Sequence, residues 1–102
     1  MAVWQDLIAV ASLDTGWVTP ARMGARKFAV FHTETGIHVT AALCSHAGAD
    51  LCQGYFADHR IECPLHQGLF DVRTGAAIGA PATRPIRRFP ARVAGDMVQI
   101  QI

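Results

Sequence analysis

Long apolar runs are missing from this sequence. None approaches the ~20 residues of a membrane-spanning helix, so no membrane partner is expected. An excess of charge of one sign is missing too. Nine Lys and Arg stand against eight Asp and Glu, a formal net charge of +1. A chain so nearly balanced has little with which to neutralise nucleic-acid phosphates, and no nucleic-acid partner is expected either. Met1 to Asp6 carries no basic segment, and Asp6 interrupts the first apolar stretch. That argues against a secretory signal and for the cytoplasm. Three cysteines cannot all pair, and without a signal a disulfide framework is a poor reading. In a reducing compartment, Cys with His nearby points first to metal. Helical periodicity is almost absent, with one ambiguous stretch from Asp6 to Leu13 that reads equally as a strand.

What is present fits one globular domain. Residues number 102, 51% hydrophobic and 17% charged, a balance that excludes a disordered tail and supports one modest core across 1–102. Short strand-like runs follow one another between turn residues. Lys27–His32 and Ile37–Ala42 flank Thr33-Glu34-Thr35-Gly36. Tyr55–Ala57 and Arg60–Glu62 flank Asp58-His59, and Leu69–Val72 precedes Arg73-Thr74-Gly75. Arg92–Ala94 and Met97–Ile100 flank Gly95-Asp96. This spacing predicts an all-β antiparallel sandwich or small barrel. The stretch from Pro81 to Pro90 fits edge strand and irregular connection.

Two segments carry chemistry. Cys44-Ser45-His46 and Cys63-Pro64-Leu65-His66 read as C-x-H, sixteen residues, then C-x-x-H. Thiolate and imidazole are ligands of zinc, copper and iron–sulfur centres. Zinc satisfies the ligand count, although zinc fingers group the two Cys together and the two His together on a helix. Blue copper asks for an axial Met, and Met1, Met23 and Met97 all lie far away in sequence. One Cys and one His from each of two loops suits a two-iron cluster better.

The two segments, extended to Cys44–Gly48 and Glu62–Gly75, resemble the cluster-binding boxes of Rieske [2Fe–2S] proteins. More narrowly, they are similar to the small Rieske ferredoxins of bacterial aromatic-ring-hydroxylating dioxygenases. Trp4, Gly54-Tyr55, Pro81, Pro85, Pro90 and Gly95-Asp96 extend the likeness over nearly the whole chain. The resemblance implies a Rieske-type antiparallel β-sandwich with a small cluster-binding cap formed by two loops. It implies one [2Fe–2S] cluster, with Cys44 and Cys63 on one iron and His46 and His66 on the other. It further implies a one-electron carrier that is not itself an enzyme. The donor would be an NAD(P)H-dependent flavoprotein ferredoxin reductase, and the acceptor a terminal Rieske oxygenase. Two other readings compete: the small Rieske subunit of an assimilatory nitrite reductase, and a zinc-stabilised binding module without redox function.

The neighbouring residues carry further expectations. Pro64 is expected to stiffen the second loop and Leu65 to shield the cluster, with Gln67 beside the ligand either a partner contact or solvated. Gly48 and Gly68 either let N–H groups approach the sulfurs or simply turn the chain. Cys52 reads as a free, buried thiol, because Leu65 occupies the place where high-potential Rieske proteins carry a disulfide Cys. His32, His38 and His59 read as structural or solvated. Arg84, Arg87, Arg88 and Arg92 form a candidate docking patch, and Asp50, Asp58 and Glu62 a candidate acidic rim. In high-potential relatives a Ser and a Tyr follow the second-box His and bond the cluster or its ligand sulfurs. Gly68 and Phe70 stand in those places. Without the two hydroxyls the potential is expected on the order of 100 mV lower, toward the bottom of a range of roughly −150 to +300 mV.

Overall fold

The computed structural model describes residues 3–44, 48–65 and 67–102. Eleven strands are found among them: β1 (Trp4–Ala9), β2 (Val18–Met23), β3 (Arg26–Thr33), β4 (Gly36–Ala41), β5 (Tyr55–Ala57), β6 (Arg60–Glu62), β7 (Leu69–Asp71), β8 (Ala77–Gly79), β9 (Arg88–Phe89), β10 (Ala91–Ala94) and β11 (Met97–Gln101). The only helical pieces among the described residues are single 3₁₀ turns at Val10–Ser12 and Leu51–Gln53. The strands form three antiparallel sheets, ordered β1-β11-β10, β2-β3-β4-β9 and β5-β6-β7-β8. The expected all-β class holds, and the ambiguous Asp6–Leu13 stretch is strand β1 followed by a single turn.

Strand β3 explains how the sheets stack. Phe28, Ala29, Val30 and Phe31 are all buried, a run with no polar interruption. A strand's side chains alternate between its two faces, so this run marks a strand covered on both sides. Phe28 and Val30 join Val39, Phe89, Val98 and Ile100 in one core, between the central sheet and the β1-β11-β10 sheet. Ala29 and Phe31 join Phe56, Ile61, Phe70 and Val72 in the other, beneath the β5–β8 sheet. Each buried Phe contributes roughly 1.5–3 kcal/mol. Two pairs add edge or tilted ring contacts: Phe28–Phe89 at 5.1 Å and Phe31–Phe56 at 4.9 Å between centroids. The cap is therefore a sheet with its own core, and the cluster loops rise from that sheet and from the end of β4.

Local turn chemistry sets the registers. The β5–β6 hairpin turns through Asp58 and His59, with φ of 51° and 61°. Two successive left-handed residues match the twist of the flanking strands. The two-residue turn between β10 and β11 differs: only its first residue, Gly95 (φ 62°), takes a positive φ. Strand β2 was not evident from sequence, because Pro20 lies inside it. Proline is tolerated there because β2 is an edge strand. Strand β9 lies at the other edge of the same sheet, within the proline-rich stretch.

One close approach positions the second box. Gly54 ends the Leu51–Gln53 turn and packs on the backbone next to Cys63. A Cβ at Gly54 would lie 2.0 Å from the Glu62 carbonyl oxygen and 3.2 Å from that of Leu51. Both obstacles are backbone, so neither yields without moving the chain. Gly54→Ala should therefore lower stability by about 1–3 kcal/mol, the usual cost of overpacking, and displace the Glu62–Cys63 segment. Chemical denaturation and iron content per chain check this. Unchanged stability with a full iron complement would show that the approach is not a constraint.

Candidate metal centre

The first loop leaves β4 and closes on itself. Leu43 bridges to Asp50 in antiparallel fashion, and the Leu51 N–H donates to the Ala42 carbonyl at 2.7 Å. Within that frame the Cys44 N–H donates to Ala49 O at 2.7 Å, and the Gly48 N–H donates to Cys44 O at 2.9 Å. Gly48, at φ 66°, thus spends its N–H on closing the loop and not on a sulfur. Asp50 pins the loop from below: its carboxylate accepts the Cys52 N–H at 2.9 Å and pairs with the Lys27 ammonium on β3. Burial acts to raise the Asp50 pKa, but the bonds from Lys27 and the Cys52 N–H outweigh it and hold the carboxyl below its ordinary value.

The second loop is the turn of the β6–β7 hairpin. Glu62 pairs with Leu69, and just inside that pair the Cys63 N–H donates to Gly68 O at 2.8 Å. Gln67 takes a positive φ of 61°, which turns the chain back into β7. The loop therefore presents Cys63 from a closed ring of backbone, as the first presents Cys44.

The two closed loops place their cysteines together. Cys44 is 3% exposed and Cys63 1%, both in the core beneath the cap. Burial pushes the Cys63 thiol above its ordinary pKa; the Leu65 backbone N–H, bonded to it, acts in the opposite direction, and the adjoining Cys44 thiol raises it further. Two apolar side chains close to the loop cysteines in sequence are exposed, Leu43 by 58% and Leu65 by 50%. Among the described residues the Leu65 N–H donates to the Cys63 sulfur, a role the sequence suggested for Gly48 and Gly68.

Two adjoining buried thiols fit a cationic iron–sulfur core. As bare thiolates they would repel and lack solvation, whereas ferric iron supplies the compensating charge. His46 and His66 lie outside the described residues, as do Ser45 and Ala47. Among the described residues no three His, Cys, Asp or Glu side chains converge on a metal position.

The remaining candidates are dispersed. Cys52 is a free thiol, half-buried against the cap core; burial and nearby Asp50 push its pKa up to about 12 against the opposing charge of Lys27. His38 and His59 both bond the Thr35 hydroxyl through Nε2, at 3.0 and 3.1 Å, and tie two hairpin turns together. Burial, with His59 and then Arg88 and Arg73 as further causes, lowers the His38 pKa. The acidic rim does not form as a unit: Asp50 is paired with Lys27, and Asp58 lies in the turn at the opposite end of the β5–β6 hairpin from Cys63. Nor do the four arginines share a patch. Arg92 stacks on Trp4 at 4.3 Å in the outer sheet, while Arg87 stacks on Phe89 at 4.8 Å in the central one.

Comparison with known proteins agrees with this geometry. The chain is 36% identical over 99 residues to the ferredoxin component of the naphthalene 1,2-dioxygenase system of Pseudomonas aeruginosa, spanning 97% of this chain and 95% of that protein. It is 37% identical over 102 residues to the anthranilate 1,2-dioxygenase ferredoxin subunit of Burkholderia cepacia, spanning 100% and 94%. A solved structure, described as a complex of reduced oxygenase and oxidized ferredoxin in carbazole 1,9a-dioxygenase, superposes with a TM-score of 0.85 at 31% identity, covering 95% of this chain and 91% of that one. The Rieske [2Fe-2S] domain family matches residues 3–90. That match runs from the start of the chain through both loops to the edge strand β9, and on it the chain belongs to the Rieske [2Fe-2S] domain family.

Proposed function

We propose that this protein is the one-electron carrier of an aromatic-ring-hydroxylating dioxygenase system, taking electrons from a flavoprotein ferredoxin reductase and delivering them to a terminal oxygenase. The observation that carries the proposal is the pair of adjoining buried thiols held by two closed loops. In this reading Cys44 and Cys63 hold one iron, His46 and His66 hold the other, and residues 1–102 form a single Rieske domain. When bound, the cluster supplies reversible one-electron transfer.

The chain's own residues hold and present. The two closed loops fix the cysteines, so little backbone reorganisation accompanies a change of charge. The Leu65 N–H offers a donor to the Cys63 sulfur. Leu65, in the second loop, and Leu43, next to Cys44 in sequence, leave exposed apolar surface near the loops for a transient partner. Such contacts are expected to be small, below roughly 1,200 Å², because a shuttle must leave quickly. The relatives named as dioxygenase ferredoxins, above 30% identity over nearly full length, favour this reading over a nitrite reductase subunit. The structure titled as an oxygenase–ferredoxin complex supports the oxygenase as acceptor. No helix among the described residues is long and apolar enough to cross a membrane. The nearly balanced charge, and the absence of a disulfide among the described residues, support a cytoplasmic setting.

Ligand variants test the assignment. Cys63→Ala and His46→Cys should each abolish the native Rieske electron paramagnetic resonance signal and electron delivery to the oxygenase. Cys52→Ala should retain both, since its thiol faces the Phe28 carbonyl, 3.9 Å away. A native signal in Cys63→Ala would overturn the ligand set.

The midpoint potential tests the hydroxyl argument. Phe70 is wholly buried in the cap core and, like Gly68, offers no hydroxyl to a sulfur. The potential should lie in the lower part of the Rieske range, below about +100 mV. Gly68→Ser combined with Phe70→Tyr should raise it on the order of 100 mV, two altered hydrogen bonds each acting on the difference between redox states. Protein-film voltammetry reads both values; a variant with an intact cluster and no upward shift would contradict the argument.

A further inference from the structure

The end of the β2–β3 hairpin concentrates positive charge beside the first loop. Arg22 pairs with Lys27 across the hairpin, and Met23 with Arg26. Residues Arg26 and Phe28 share a face of β3, two positions apart. The Arg26 guanidinium lies 5.3 Å from the Phe28 ring centroid and 5.5 Å from that of Phe89. Arg87 covers the same Phe89 ring at 4.8 Å. Stacked in this way, a guanidinium loses less freedom on binding and keeps its in-plane N–H donors for a ligand. Beside these groups runs an open groove of about 430 Å³, lined by Arg22, Arg26, Lys27, Phe28, Leu43 and Phe89 among others.

Three features give the groove a direction. Its unpaired charge is of one sign: the carboxylate of Asp50 is taken up by Lys27, and among the described residues none of Arg22, Arg26 and Arg87 is in an ion pair. Its lining also includes apolar Phe28, Phe89 and Leu43, the last 58% exposed. Leu43 also precedes Cys44, so the groove ends at the redox loop. A polyanion such as nucleic acid needs a longer basic track than three unpaired cations on a chain of net charge +1. Apolar lining beside guanidinium groups suits a protein segment that carries carboxylates next to an apolar side chain.

We propose that this groove docks an acidic segment of one of the protein's redox partners, carboxylates against Arg22, Arg26 and Arg87 and an apolar side chain against Leu43. The proposal rests on the carrier function above and names a surface that sets which partner edge meets the first loop.

Stopped-flow association of the reduced or oxidised holoprotein with its reductase and with its oxygenase tests this, at ionic strengths of about 0.02 M and 0.2 M, on either side of the usual screening regime. Combining Arg22→Gln, Arg26→Gln and Arg87→Gln should slow association with at least one partner about tenfold at low salt and flatten its salt dependence. Arg92→Gln, on the outer sheet, should leave both rates unchanged. Leu43→Ser should speed dissociation of that same partner without altering its salt slope, and stands as the test should the triple variant fold poorly. The potential and resonance signal of each variant are read alongside. A wild-type protein that passes electrons to neither partner fails the carrier function itself. A wild-type carrier whose triple and Leu43 variants associate and dissociate normally with both partners overturns the groove proposal. So does sedimentation showing that the groove joins two copies of this chain, or NMR titration showing that it takes up inorganic phosphate while partner kinetics stay unchanged.

Discussion

The double-sided burial of β3 is the constraint on which the rest of the structure depends. Four successive apolar residues, Phe28 to Phe31, are committed to two different cores by the alternation of a strand. One face holds the sandwich together and the other carries the cap. Cys44 and Cys63 belong to the cap core, so the proposed metal site would extend the packing that begins at Ala29 and Phe31. Lys27, next to Phe28 on the same strand, reaches Asp50 and pins the first loop. Position and stability of the site therefore share one strand.

Electrostatics explains why the site sits where it does. Buried thiols resist ionisation, as the raised Cys52 and Cys63 values illustrate. Such a place favours ligands whose charge is cancelled within the site, and two thiolates beside ferric iron and bridging sulfide meet that condition. The imidazoles of the proposed ligands His46 and His66 would add no further negative charge.

Much of this was legible because it is local. Asp58-His59 and Gly95-Asp96 marked their hairpins, and the alternation of Met97–Ile100 marked β11, since turn and period are written in adjacent residues. The pairing of Cys44 with Cys63 was legible through spacing and resemblance together. Strand β2 was obscured by Pro20, whose edge position cannot be read without the sheet order. The role of Gly54 depends on a backbone eight residues away, and that of Asp50 on Lys27, 23 positions away. For the same reason the grouped acids and arginines of the sequence separated in space. The N–H of Leu65, a backbone group, has no side-chain signature at all.

The most direct test of the central claim is electron–nuclear double resonance on the reduced protein labelled with ¹⁵N-histidine. The ligand set of Cys44, Cys63, His46 and His66 predicts coupling of the cluster spin to two inequivalent histidine nitrogens. Coupling to one such nitrogen or to none, or a colourless protein carrying zinc in place of iron, would contradict it.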